Sequence, residues 1–323
     1  MMKKIKVNSI DIIPVLILVI LVVIFAILSG GLSLSSYNIG KLIIQLVPIM
    51  LGSLGVIFVV SLGSTDISIG ANAAMAATLA AMVTLKTGQS LIFFPLTVVI
   101  SSLIGLLIGT IATKFKVGTF ILTLAMLIGC RGFLNYVVSS VKITTPKGLK
   151  LLATTPFALA VLIVSIAIVY YVFEKTKFGY YCKCVGENER TIRSVGINVD
   201  KIRVTCFVIS GFFAGVVGVT QLCRVGGATN TLCNMLEMRV QMAIFLGGIL
   251  TTGGFSAKLY KAIIGSITIT IIENGLTICG ASSQVSEAVE GILLVAILVI
   301  TIYFNRVAEK KVEQEVVEEL ISM

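Results

Sequence analysis

Apolar runs of about 20 residues recur from one end of this chain to the other, and that recurrence leaves few folds open. A helix of that length crosses the roughly 30 Å hydrocarbon core of a bilayer. Inside the bilayer every backbone N–H and C=O must find its partner within the chain. Only 12% of the 323 residues are charged and 57% are hydrophobic, against about 25% charged in soluble domains. The expected fold class is all-α: a polytopic membrane protein of about ten transmembrane helices with broken or re-entrant elements. The runs fall near 12–28, 39–60, an alanine-rich stretch ending near 85, 91–113, 119–138, 153–173, 204–222, 237–250, 260–280 and 285–304. No stretch of mixed composition is long enough for a soluble domain. Residues 1–308 are therefore expected to form one integral membrane domain, and 309–323 a short cytosolic tail. In the tail, Val312, Val316, Val317 and Leu320 fall at helical spacing, which fits a short amphipathic helix or a frayed end.

The net charge of +10 reads as orientation in the membrane rather than as affinity for nucleic acid, because the bases gather in loops. An inside N-terminus places Lys3, Lys4 and Lys6, Lys114 and Lys116, the bases from Lys175 to Arg203, Lys258 and Lys261, and Arg306, Lys310 and Lys311 on one side. The other side keeps Lys41, Lys86, Lys142, Lys147, Lys150 and Arg224. Both termini are thus expected in the cytosol. The loop 139–150, with three of those lysines, runs against the rule and is expected to form a surface helix or to face a partner. The first run follows three lysines, as a signal peptide would, but no A-x-A cleavage site follows it, so it reads as an uncleaved span.

The sequence has no histidine and no tryptophan, which removes histidine proton relays and histidine metal sites. Of the seven cysteines, Cys130, Cys206, Cys223, Cys233 and Cys279 lie in or near apolar runs and read as small core residues. Cys182-x-Cys184 lacks a second pair and reads as free thiols, so neither a metal nor a cofactor is expected. No Walker A pattern occurs, which excludes ATP hydrolysis by the P-loop route. No nucleophile–base constellation stands out either. A chain of this kind is expected to move something rather than to transform it.

One polar island interrupts the apolar pattern: Gly186-Glu187-Asn188-Glu189-Arg190-Thr191-Ile192-Arg193-Ser194-Val195-Gly196-Ile197. Acids early, bases late and a closing glycine predict a short exposed helix, favoured by the helix dipole. It is either a docking element or a solvated connector. A second feature is Asp66, set in the glycine-bracketed break Gly63-Ser64-Thr65-Asp66-Ile67-Ser68-Ile69-Gly70. A carboxylate at depth costs about 2.5–3.5 kcal/mol on insertion scales. Asp66 is then a gate or pathway element, or a helix cap at the cytosolic rim. Arg131 falls within a run, and either snorkels or pairs with Asp66, Glu237 or Glu273.

Four motifs together resemble the ribose-type permeases of ATP-driven (ABC) importers. Phe178-Gly179-Tyr180, the island, and Val208-Ile209-Ser210-Gly211-Phe212-Phe213-Ala214-Gly215 are similar to that family's FGR, GGNExAARxSGI and SGxxAAxAG. The Gly63–Gly70 break is similar to GGIDLSVG, with Ser64-Thr65 in place of Gly-Ile. Thr119-Phe120-Ile121-Leu122-Thr123-Leu124 with Arg131-Gly132 is similar to PxFIxTLGxxxxxRG, with Val117-Gly118 where the proline stands. Leu246-Gly247-Gly248, Gly253-Gly254, Asn274-Gly275-Leu276 and Gly291 are similar to LGGTSLxGG, NGL and a late glycine. The glycines also serve close helix packing.

The resemblance implies a permease subunit in the bacterial cytoplasmic membrane that pairs with a second permease subunit, identical or related. Gly186, Glu187, Asn188, Glu189, Arg190, Arg193 and Gly196 would form the loop on which cytosolic ABC ATPase subunits dock. An extracytoplasmic substrate-binding protein would deliver a sugar or similar small polar solute, and transport would proceed by alternating access. Asp66, Gly63, Gly70, Arg131, Arg239, Gln241, Gly247, Gly248 and Asn274 are the helix-break and pathway candidates. Arg239 and Gln241 depart from the family's DxIAAVVLGG. They point to a polar or anionic solute, or to an interfacial arginine. The rival readings are a secondary transporter relaying ions through Asp66 and Glu273, a nucleoside or other non-sugar solute carried by the same ABC architecture, and a membrane scaffold.

Overall fold

The computed structural model describes residues 9–299, apart from 147, 150, 151, 153, 283, 290, 294, 297 and 298. The predicted tail helix, the end of the tenth run and the first three lysines lie outside the described residues. The helices are α1 (Ser9–Leu28), α2 (Ser36–Ser61), α3 (Ile69–Thr87), α4 (Phe93–Lys114), α5 (Thr119–Ser140), α6 (Thr155–Val169), α7 (Lys177–Glu187), α8 (Glu189–Ser194), α9 (Val199–Val225), α10 (Leu236–Leu246) and α11 (Leu259–Ile278). A π-helical turn, Tyr170–Lys175, extends α6. Among the described residues the sole β pairing is one bridge, Thr144 with Gly227.

Seven helices are long and apolar enough to cross a membrane, and α1 adds a shorter apolar stretch, Pro14–Leu28. The eighth predicted span is instead the eleven-residue α10. At 1.5 Å per residue it covers about 16 Å, half of a bilayer core. Its first turns carry Glu237, Arg239 and Gln241, and Gly247-Gly248 ends it, so it is a half-helix inside the bundle.

Helices α2 and α9 form the centre, and Val56, Phe58, Phe207, Val217 and their neighbours make the core. α4 lies along α9 through facing glycines. A Cβ on Gly105 would sit 2.3 Å from the Phe207 carbonyl oxygen, and one on Gly211 would sit 2.5 Å from the Ser101 carbonyl oxygen. Such small-residue seams let backbones approach where lipid supplies no hydrophobic drive. α4, α5 and α6 expose their apolar faces, Ile128 and Ile163 among them, as lipid-facing helices do. The 141–146 segment is not a surface helix. It runs extended against 226–228, with Thr145 N–H donating to the Gly226 carbonyl at 3.1 Å and Ala228 N–H to the Ile143 carbonyl at 3.0 Å.

Candidate functional site

The predicted island helix is two helices. α7 ends at Glu187, Asn188 leaves helical geometry (φ −157°, ψ 96°), and α8 begins at Glu189. The Asn188 side chain accepts from Thr191 N–H at 3.1 Å and so caps α8. Gly196, at φ +82°, ends the segment as expected. Glu187 does not open a helix. Its Oε1 accepts from Phe255 N–H at 2.8 Å, tying α7 to the turn between α10 and α11.

Ion pairs fasten α8 to α9. Arg193 bridges Glu189 at 2.8 Å and Asp200 at 2.5 Å, and Arg203 reaches the other Glu189 oxygen at 2.7 Å. Burial pushes the Glu189 carboxyl up, but the hydrogen bonds from Arg193 and Arg203 outweigh it and hold the group below its ordinary value. Arg190 is exposed and forms no ion pair among the described residues.

At the inner ends three backbones converge. Gly63 and Gly253 both take positive φ, +69° and +77°. A Cβ on Gly253 would fall 2.4 Å from the Val60 carbonyl oxygen and 2.5 Å from Gly63 N. Gly186 packs on the same point, its Cβ position lying 2.1 Å from the Ser61 carbonyl oxygen. From there residues 62–68 run back into the bundle without helix.

That run delivers Asp66, 3% exposed, to α9. One carboxylate oxygen accepts from Ser68 N–H at 3.0 Å and Ser68 Oγ–H at 2.6 Å, which caps the approach to α3. The other accepts from Ser210 Oγ–H at 2.6 Å. Gln241 Nε2–H, on α10, donates to the Asp66 carbonyl at 3.0 Å. The cap is therefore buried within the bundle, and it joins α3, α9 and α10 at one residue.

Arg131 selects Glu237 among its three candidate partners, at 3.4 Å. It also donates to the carbonyls of Leu232, at 2.7 Å, and Cys233. These carbonyls precede α10, where Cys233 and Met235 turn through positive φ. Gly70 leaves room for this group, since a Cβ there would meet the Glu237 carboxylate at 2.0 Å. Arg239 forms an ion pair with Glu273 of α11. Asn274 exchanges hydrogen bonds with Asn38 at 2.7 and 3.1 Å and donates to Gln45 at 3.1 Å. Gly247 and Gly248 lie toward the other end of α11. A Cβ on Gly247 would sit 2.0 Å from the Lys261 carbonyl oxygen, and Lys261 Nζ–H donates to the Gly248 carbonyl at 3.2 Å.

The structure thus gathers Asp66, Gly70, Arg131 and Gln241 into one seam and leaves Asn274, Gly247 and Gly248 apart from it. Asp66 and Glu273, offered as a relay pair, have separate partners in separate places. Cys182 faces Cys206 at 3.5 Å, not Cys184. Sequence reasoning did not single out Ser210, Asp200 or Arg203. Ser210 lay within a quoted motif, but nothing in that motif says which helix its hydroxyl meets.

Two polar cavities flank the seam. On the side predicted as outer, a cavity of about 570 Å³ is lined by Gln45, Gln221, Arg224, Asn234, Arg239, Glu273 and Glu287, among others. On the inner side, one of about 700 Å³ is lined by Ser64, Lys116, Thr119, Glu189, Arg193, Asp200 and Arg203, among others.

A polytopic helical bundle with two helix breaks meeting on a buried polar seam is the architecture of a transport protein. The chain belongs to the family described as branched-chain amino acid transport system / permease component, whose model matches residues 38–298. It is 28% identical over 258 residues to the ribose import permease protein RbsC of Haemophilus influenzae, covering 76% of this chain and 79% of that one. It is 26% identical over 288 residues to the autoinducer 2 import system permease protein LsrC of Photorhabdus laumondii, covering 84% and 86%. It is 23% identical over 318 residues to the fructose import permease protein FrcC of Rhizobium meliloti, covering 92% and 86%. No solved structure matches the chain.

Proposed function

We propose that this chain is the transmembrane permease subunit of an ABC importer for a sugar or similar small polar solute, with both termini cytosolic in a bacterial cytoplasmic membrane. ATP hydrolysis belongs to separate cytosolic ATPase subunits. A second permease subunit completes the path, and an extracytoplasmic binding protein delivers the solute. Family membership and the relatives' names support the class.

The observation that carries the reading is α8. It is a capped, charged helix outside the spans, fixed to the core helix α9 by Glu189, Arg193, Asp200 and Arg203. A force applied to α8 by an ATPase passes into α9 as one body. Ser210 on α9 holds the Asp66 carboxylate, whose backbone carbonyl is held by α10. α9 motion therefore bears on both helix breaks. Arg190, Thr191 and Ser194 on α8, and Val195 just after it, remain exposed for the docking itself.

The test is co-purification of candidate ATPase subunits with the detergent-extracted chain. Arg190→Glu is expected to weaken capture by about tenfold or more, the scale of one lost interfacial charge contact. Glu187→Gln, at a side chain already engaged by the Phe255 N–H, is expected to leave capture unchanged. Capture that survives Arg190→Glu combined with Val195→Asp would move docking away from α8.

A further inference from the structure

We propose that the inner cavity is a binding site for the phosphoryl headgroup of an anionic phospholipid, held by Ser64, Lys116 and the first turn of α5. The site stands on its own geometry. Only its assignment to the cytosolic leaflet rests on the orientation proposed above.

The lining fixes the sign of the ligand. The cavity of about 700 Å³ falls in the usual range for small-molecule sites, about 300–1,000 Å³. Its charged residues are Lys116, Arg193, Arg203, Glu189 and Asp200. Both carboxylates are already held by the two arginines. Lys116 has no ion pair among the described residues, so the charge left over is positive. Gly118 and Thr119 line the same space, and α5 starts there with no side chain capping its N–H groups. Uncapped N–H groups at the head of a 22-residue helix add to the attraction for an anion. Thr119 Oγ1 accepts from Thr65 N–H at 3.4 Å, which joins this start of α5 to the break after α2.

Ser64 gives the independent sign that something is held there. It is 7% exposed, it lines the cavity, and its hydroxyl has no hydrogen-bond partner among the described residues. The neighbouring serines are satisfied: Ser61 Oγ–H donates to the Phe58 carbonyl at 2.8 Å, and Ser68 Oγ–H to Asp66 at 2.6 Å. A buried hydroxyl on a cavity wall is costly unless something in the cavity bonds to it. Lys116 carries a second cost. It turns through φ +53°, a conformation that crowds the Cβ of any residue but glycine. A turn shaped by sterics alone would favour glycine there, and this one carries an ammonium group instead.

The surroundings identify the source of the phosphoryl group. Residues 116–119 join the ends of α4 and α5, two helices with exposed apolar faces, and so lie at headgroup depth. Phe115 on one side and Phe120 and Ile121 on the other are all exposed. A soluble phosphate would leave these side chains bare, whereas the acyl chains of a lipid seated at Lys116 would cover them. Basic pockets between helices at the membrane surface take anionic headgroups in this way.

The test is native mass spectrometry of the full chain in detergent, freed of bound lipid and titrated with phosphatidylglycerol or with phosphatidylcholine of the same acyl chains. No ATPase takes part, so a failed ATPase capture and a failed lipid site are separate results. Phosphatidylglycerol is expected to bind about tenfold more tightly than phosphatidylcholine. Lys116→Gln is expected to weaken its binding by about fivefold, and Ser64→Ala by about threefold or more. Lys86→Gln, an exposed lysine in the last turn of α3, is expected to change nothing. Bound phosphatidylglycerol is expected to slow hydrogen exchange at 118–122, and phosphatidylcholine is not. Lys116→Gly relieves the turn, so it is expected to raise the unfolding temperature and still lose the preference, which separates binding from folding.

Equal binding of the two lipids, a preference that survives Lys116→Gln, or an equal loss in Lys86→Gln would overturn the site. Displacement of phosphatidylglycerol by millimolar inorganic phosphate would overturn the lipid as the source of the phosphoryl group.

Discussion

A buried carboxylate is tolerable only if its neighbours replace the water it gave up, and Asp66 shows how this chain does it. Three donors from two serines reach its oxygens. Hydrogen bonds to a charged group are worth about 1.5–3 kcal/mol each, and one left unmade in the interior costs a similar amount. Ser210→Ala removes the one donor that reaches that carboxylate oxygen among the described residues and is expected to destabilise the chain by about 1–3 kcal/mol, read as a lower unfolding temperature in detergent. Asp66→Ala removes all three contacts and is expected to cost more than Ser210→Ala. The double variant should cost little beyond Asp66→Ala, because the two residues share one interaction. Additive losses would mean that the serine stabilises α9 by some other route.

At the scale of elements, the α8 clasp has a sign that pH can check. The folded-state value of the Glu189 carboxyl lies below its ordinary 4.5. Its contribution is therefore fully present above the ordinary value and is lost as pH falls through the folded one. Hydrogen exchange in α8 and the first turn of α9 is expected to speed up, relative to the core of α9, between pH 5 and a pH below about 4. Arg203→Gln should move that onset upward, because it removes one of the two cations that lower the carboxyl. The residues involved are largely exposed, so the change is local and the bundle stays folded. This element also shows what the sequence makes legible. Acid-then-base order and the closing Gly196 marked a helix here. The break at Asn188 went unread because Glu187 is drawn to Phe255, a partner 68 positions away in the chain. The same limit applies to α10: its apolar content reads as a span, whereas the Gly247-Gly248 stop, the contact with Asp66 and the hold of Arg131 on the preceding carbonyls go with a half-helix. The long core helices, with caps and periodicity inside their own segments, needed no such information.

At the scale of the molecule, the glycines separate local freedom from architecture. The sequence shows glycine-rich breaks near 63–70 and 247–254, but not that they touch, nor that the end of α7 closes on them. Gly186 records that meeting: a Cβ there would lie 2.1 Å from the Ser61 carbonyl oxygen and 2.4 Å from Gly254 N. Both are backbone atoms, and neither can yield without moving the end of α2 or the turn before α11. Gly132, within α5, has nothing within 4 Å of its Cβ position. There a methyl group only reduces the freedom of the unfolded chain, which is worth about 0.5–1 kcal/mol in favour of alanine in a helix. Gly132→Ala is thus expected to leave the unfolding temperature unchanged or raise it. Gly186→Ala is expected to lower it, by about 1–3 kcal/mol of overpacking, and to speed hydrogen exchange at 61–64 and 252–255 together. Equal effects of the two substitutions would show that the three inner backbones are not held as one unit, and motion of α8 would then have no direct mechanical route to the helix breaks.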